Sequence, residues 1–240
     1  MQLKLIHLYP DLMNLYGSYG NLLVLRRTLE KLGHTVELAE VRPGEALPLA
    51  GADMLMLGAG TERSALAALE ALRPAREALA EAAQGGLPML FCGTAAELLG
   101  DAVTDRSGAV HPALGLAPFT VEQGAKRIVG DVIGRCPLTD RPVVGFINKC
   151  SLLRGVETPF LTETTLGFGN EGRHGAEGVL LHHVIGSELT GPLLVKNPAL
   201  LDWFAARLLE RRGAPVPESF AHSEAYLASY RVTLEELQKR

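Results

Sequence analysis

Apolar positions along the first hundred residues alternate between short continuous runs and helical spacing. Leu3 to Leu8 (LKLIHL), ended by Tyr9-Pro10, predicts a strand buried on both faces. Asn21 to Leu32 (NLLVLRRTLEKL) has the spacing of an amphipathic helix, with Asn21 as the expected N-cap and Gly33 as the stop. His34 to Val41 alternates like a strand, and Ala52 to Leu57 (ADMLML) is a third strand, apolar apart from Asp53. Glu62 to Ala83 reads as helix broken near Pro74. Leu87 to Phe91 (LPMLF) reads as a fourth strand, turning at Cys92-Gly93 into a short helical stretch from Thr94 to Leu99. The order β-α-β-β-α-β-α predicts an α/β fold of three layers around a mostly parallel sheet, with functional residues at the carboxyl ends of the strands.

The second half, from Gly115 to Leu194, is richer in glycine and β-branched residues. Strands are expected at Pro118–Gln123, Arg127–Ile133, Val143–Ile147 and Val179–Leu189, as a mixed extension of the same sheet. Pro198 opens a predicted helix, Ala199 to Leu209, placed to pack on the sheet. Glu218 to Arg240 spaces apolar residues among charges at helical intervals and reads as a surface helix or a partner-docking tail. The expected organisation is one domain over residues 1–212 and a C-terminal tail over 213–240.

Composition narrows the function classes. Apolar residues are 47% and charged residues 21% of the chain, which supplies a buried core and shows no sign of disorder. A formal net charge of −4 gives no pull toward phosphate backbones or anionic membranes, so nucleic acid is not an expected partner. No apolar run approaches the roughly 20 residues of a membrane span, and no signal-peptide layout opens the chain. The three cysteines, Cys92, Cys136 and Cys150, form no close pair, which fits a reducing, cytoplasmic setting.

The candidate chemistry centres on Cys92. A cysteine at the end of a buried strand, followed by Gly93 and a helix, suits a nucleophile elbow: the turn exposes the thiol, and the helix start favours its thiolate. A structural core cysteine is the competing reading. Strand three ends in Gly58-Ala59-Gly60-Thr61, a glycine turn on the same sheet edge, whose backbone N–H groups could form an oxyanion hole. Cys136 and Cys150 read as structural thiols, and Glu62 and Arg63 as a solvated turn, with contact to substrate or partner as the second reading. Adjacent histidines on a strand point to opposite faces, so His182 and His183 with His174 make no metal site, and no cofactor is implied.

With these residues in place, the chain resembles the CobB/CobQ-like branch of class I glutamine amidotransferases, and within it the glutaminase subunits of lipid II isoglutaminyl synthases. The resemblance is carried by LYPDLMNLYGSYGNLLVLRR (8–27), LGAGTER (57–63), FCGTAAELLG (91–100), KRIVGDV (126–132), VGFINK (144–149), LGFGNEG (166–172) and GPLLVKNP (191–198). It implies a flavodoxin-like amidotransferase domain that hydrolyses glutamine to glutamate and ammonia. The ammonia would pass to a Mur-ligase-like, ATP-dependent partner (MurT-like) that amidates the D-glutamate of lipid II in peptidoglycan synthesis. By the same resemblance Cys92 matches the nucleophile, Gly60 lies in the oxyanion turn, and Arg127 matches the arginine that holds glutamine.

One position departs from that pattern. The family histidine precedes the Gly-Pro pair, and here that residue is Thr190, which cannot act as a base. His182 and His183 lie about 23 Å upstream at strand spacing. Lys149 and Cys150 replace a His-Gly pair, a further change expected at the site's surface. Three readings therefore stand: a glutaminase subunit, a non-catalytic relative that keeps the fold as a binding or scaffolding subunit, and a different cysteine hydrolase with a base from elsewhere.

Overall fold

The computed structural model describes residues 1–240. Its first half forms β1 (Gln2–Leu8), α1 (Gly20–Lys31), β2 (Thr35–Val41), β3 (Met54–Leu57), α2 (Glu62–Leu72), α3 (Arg76–Gln84) and β4 (Met89–Cys92). A 3-10 stretch over Gly93–Leu99 follows. Then come β5 (Ala102–Thr104), β6 (Val110–Pro112), β7 (Thr120–Arg135), β8 (Val143–Arg154) and β9 (Glu163–Leu166). The chain ends with β10 (Val179–Leu181), β11 (Val184–Ser187), β12 (Leu189–Thr190), α4 (Leu193–Lys196), α5 (Pro198–Arg211) and α6 (Glu224–Gln238).

The main sheet has the order β10-β11-β4-β3-β1-β2 and is parallel except for the outer β10. Strand alternation sends Ile6, Leu8, Leu57 and Phe91 to one face, where they meet Ala65, Leu69 and Leu79 of α2 and α3. Leu3, Leu5, Met56 and Leu90 face the other way, onto Leu22 and Leu25 of α1 and Leu201 and Phe204 of α5. These are the three expected layers.

The predicted mixed extension is instead a separate second sheet, ordered β12-β8-β7-β5-β6 with β9 on β7. β11 takes the edge of β4, so the strands from β5 to β9 have no place beside it and pair among themselves. The two strands expected over 118–133 merge into the single long β7, with a bulge against β8 between Gln123 and Ile128.

Two local expectations change. Asn21 is not a helix cap: Tyr19 takes that position, while the buried Asn21 amide accepts from the Leu194 N–H at 2.7 Å and donates to the Ser18 carbonyl at 3.0 Å. His182 and His183 form the turn between β10 and β11, with His182 at φ 50°, so the single strand expected over 179–189 is a hairpin. Because β11 runs parallel to β4 from this turn, both histidines lie at the sheet edge opposite Cys92. The C-terminal helix α6 seats Tyr230 and Leu237 on Ile133 and Val144 of the second sheet, and the Tyr230 hydroxyl donates to the Pro142 carbonyl at 2.7 Å. No helix is long and apolar enough to cross a membrane.

Candidate active site

β4 pairs with β11 through its last residue, Cys92 opposite Ser187, so Cys92 is a strand residue with a fixed face rather than the exposed member of a turn. Its side chain is fully buried with Leu90, Leu25 and Leu194 in the α1/α5 layer, and the Asn21 amide lies 3.8 Å from its sulfur. Burial, reinforced by the charge of Glu177, pushes the thiol up to about 12. A thiol held neutral in an apolar layer is a poor nucleophile. Cys92 has the backbone φ of an ordinary strand, −108°.

The strained residue that characterises an elbow is the next one. Gly93 has φ +60°, and a Cβ placed there would stand 3.5 Å from Thr190 Cγ2 and 2.7 Å from Ala59 Cβ. Thr190 is therefore opposite residue 93, across the space in which a nucleophile and base would meet. Its hydroxyl donates to the Phe146 carbonyl at 2.9 Å, which turns the methyl toward the gap. The elbow position thus carries no side chain, and the position facing it carries a methyl.

The glycine turn does not offer a free oxyanion hole. The Gly60 N–H donates to Thr94 Oγ1 at 3.1 Å, and the Thr94 hydroxyl returns a bond to the Gly60 carbonyl at 3.0 Å. The Ala59 N–H donates to Ser18 Oγ at 3.1 Å. Gly58 and Gly60 are required by packing: added Cβ atoms would come within 2.3 Å of the Met13 carbonyl oxygen and the Met13 sulfur.

Between these elements lies a cavity of about 90 Å³, lined by Tyr16, Gly60, Glu62, Thr94, Arg127, Asn148 and Thr190 among others. Small-molecule sites usually enclose about 300–1,000 Å³. Arg127 reaches the rim, but its guanidinium already donates to Glu62 Oε1 at 2.6 Å and to Asn148 Oδ1 at 3.0 Å. Asn148 in turn donates to the Tyr16 hydroxyl at 3.0 Å. Partial burial works against ionisation of Glu62, yet its own backbone N–H, the Cys150 thiol, Arg127 and Arg106 together hold its carboxyl below the usual range. Glu62, expected in a solvated turn, is thus the ionic partner of Arg127. Cys150 contacts it at 3.2 Å. Lys149, expected at the surface of the site, is buried and belongs to a different network.

The structure accordingly brings Gly60, Arg127 and Thr190 to one cavity, sets Gly93 beside Thr190 and Ala59, and leaves Cys92 on the far face of the sheet. Tyr16 and Asn148 are site residues that periodicity does not reveal. Gly93 carries a readable signal: a glycine directly between a buried strand and a helical run is where positive φ is expected.

Comparison with known proteins agrees with this architecture. The profile of the CobB/CobQ-like glutamine amidotransferase domain matches residues 4–198. The chain is 27% identical over 239 residues to the GatD subunit of the glutamine-hydrolysing lipid II isoglutaminyl synthase of Staphylococcus aureus, covering 100% of this chain and 98% of that protein. To the GatD subunit from Streptococcus pneumoniae it is 30% identical over 203 residues, covering 83% and 77%. Among solved structures, PurLQS from Thermotoga maritima superposes with a TM-score of 0.52 at 15% identity, covering 88% of this chain and 97% of the other. A glutamine amidotransferase crystal structure gives 0.52 at 18% identity, covering 87% and 99%. The profile match spans both the glycine turn and the elbow, and the chain belongs to the CobB/CobQ-like glutamine amidotransferase family.

Proposed function

We propose that this chain is the amidotransferase-fold subunit of an assembly of the lipid II isoglutaminyl synthase kind, and that it serves a Mur-ligase-like partner as a binding subunit without hydrolysing glutamine itself. The likeness to GatD subunits along the whole chain supports the assembly. The observation that carries the loss of turnover is Gly93 at the elbow, facing the Thr190 methyl, with the Cys92 thiol buried on the opposite face. Thiol acyl transfer needs a nucleophile, a base within hydrogen-bond reach and free donors for the oxyanion. Here the first two positions are empty of chemistry, the Ala59 and Gly60 N–H groups are engaged, and the arginine that would grip a substrate carboxylate already holds Glu62.

On this reading the ligase partner takes ammonia from solution. The test is to co-purify the chain with a Mur-ligase-like subunit from the same organism and supply lipid II, ATP and either glutamine or an ammonium salt. A stable complex that amidates with ammonium and not with glutamine is the expected result. Glutamine hydrolysis at about 1 s⁻¹ or more, the low end of ordinary enzyme rates, abolished by Cys92→Ala, would restore the glutaminase reading. Failure of the two chains to associate would remove the assembly.

A further inference from the structure

The fold also holds a buried ionic network that the proposed function does not use. Glu97 of the 3-10 stretch, Lys149 and Ser151 of β8, and Glu177 and Glu188 are each at most 3% exposed. The Lys149 ammonium donates to the carbonyls of Gly169 and Asn170 at 3.0 and 3.2 Å and to the Glu188 carboxylate. Glu177 accepts from the Ser187 hydroxyl at 3.0 Å and from the Glu188 N–H at 2.7 Å. Glu97 Oε2 accepts from the Gln123 amide of β7 at 2.9 Å.

Ser151 decides the protonation of this network. Its hydroxyl oxygen lies 2.8 Å from Glu97 Oε1 and 2.8 Å from Glu188 Oε1. A hydroxyl has one proton to give. With both carboxyls ionised, one of the two contacts would set lone pairs against lone pairs, so one carboxyl must itself carry a proton and donate it to Ser151. Glu188 has the Lys149 charge beside it, which leaves Glu97 as the acid. Lys149 then balances Glu188, while Glu177, which accepts from the Ser187 hydroxyl and the Glu188 N–H, is itself raised to about 7 by burial and by the charge of Glu188.

We propose that Glu97 is a carboxylic acid in the folded protein and that the loss of its proton is a pH switch acting on the elements that line the cavity, which contribute Thr94, Asn148 and Thr190 to it. Its hydrogen bonds tie the stretch that starts at Gly93 to Gln123 of β7 and to Ser151 of β8, the strand that carries Asn148, and through Ser151 to Glu188 in the 187–190 segment that carries Thr190. An anion at Glu97 would face the Glu188 carboxylate across Ser151 and turn the shared hydroxyl into a point of repulsion. The joint between these elements then loosens as pH rises, and the cavity opens. Burial, followed by the charge of Glu188, raises this carboxyl to about 7, so the switch falls near neutrality. The inference stands whether or not glutamine is turned over.

The sign follows from the direction of the shift. The unfolded chain ionises Glu97 near 4.5, so between about 4.5 and 7 the folding constant falls about tenfold per pH unit for this group and levels off above. Three measurements on the whole chain test it. Infrared titration of the wild type should show a buried carboxylic-acid carbonyl band lost near neutral pH and missing in Glu97→Gln. Denaturant unfolding should show a pH dependence of stability in Glu97→Gln that is weaker by one proton. Hydrogen exchange from pH 6 to pH 8, corrected for intrinsic rates, should speed up selectively over residues 93–99 and 187–190. Absence of the band, or equal pH slopes in the two proteins, would overturn the assignment. Exchange that accelerates uniformly would overturn the switch. The exchange measurement needs only the wild type and decides the switch even if Glu97→Gln does not fold, and retention of the infrared band in Glu177→Gln then assigns it to Glu97, its loss there overturning the assignment.

Discussion

Gly93 and Ala59 compete for one volume. An Ala at residue 93 would combine a left-handed backbone with a 2.7 Å approach to Ala59 Cβ, and strain of this kind costs about 1–3 kcal/mol. Gly93→Ala should lose that much stability in urea unfolding, and Ala59→Gly in the same chain should recover part of it, as a double-mutant cycle would measure. The same geometry makes Gly93→Cys with Thr190→His unproductive until Ala59→Gly is added, and only the triple variant should gain measurable glutaminase activity. Cys92, buried and with its thiol pushed up to about 12, should be the last cysteine to react with iodoacetamide and should label only on unfolding. Rapid labelling of Cys92 in the native protein would contradict its placement. The thiol, the glycine and the helical run after it were all legible in the sequence. The face was not, because ending the strand at Phe91 or at Cys92 differs by one residue, and one residue exchanges the two sides of a sheet.

At the level of elements, the alternation of strands and helices in the first half was readable because β1, β3 and β4 are apolar runs, β2 alternates, and each helix has a clear stripe. The second half was not, since nothing in β7 states whether its partner is β4 or β8; that choice follows from β11 claiming the β4 edge. The helix α6 was expected from its spacing, and its role rests on one aromatic residue. Tyr230 is 7% exposed, packs on Ile133 and Val144, and ties its hydroxyl to Pro142. Tyr230→Phe should lower stability by about 1 kcal/mol through the lost hydrogen bond, and Tyr230→Ala by about 3 kcal/mol through lost packing. Equal losses in denaturant unfolding would mean that the ring contributes nothing beyond its hydroxyl.

Across the whole molecule, the buried ions join the two sheets through residues distant in sequence, and this was the least legible feature. Lys149 and Glu188 sit in apolar runs where a charge reads as an interruption, and their pairing appears only when β8 and the segment after β11 converge. Lys149→Met leaves the Glu188 carboxyl buried without its counter-charge, and breaking such a pair typically costs about 3–5 kcal/mol. The loss should be largest at pH 8 and smaller at pH 5, because Glu188, already raised by burial, can take up a proton once Lys149 is gone. Stability curves that are parallel at the two pH values would count against the pairing.

The placement of β11 beside β4 also constrains how the chain is made. The edge of β4, with Leu90 and Phe91 at its centre, has no neighbour until a strand some ninety residues later in the sequence arrives. The Asn21 amide likewise waits for Leu194. On the ribosome, therefore, the emerging amino-terminal half presents an open, apolar strand edge for as long as the second sheet takes to be synthesised, the condition under which nascent chains add to one another or recruit chaperones. Nascent chains stalled at residue 182 should be held by chaperones and aggregate on release, whereas those stalled far enough along for residue 200 to clear the exit tunnel should resist protease.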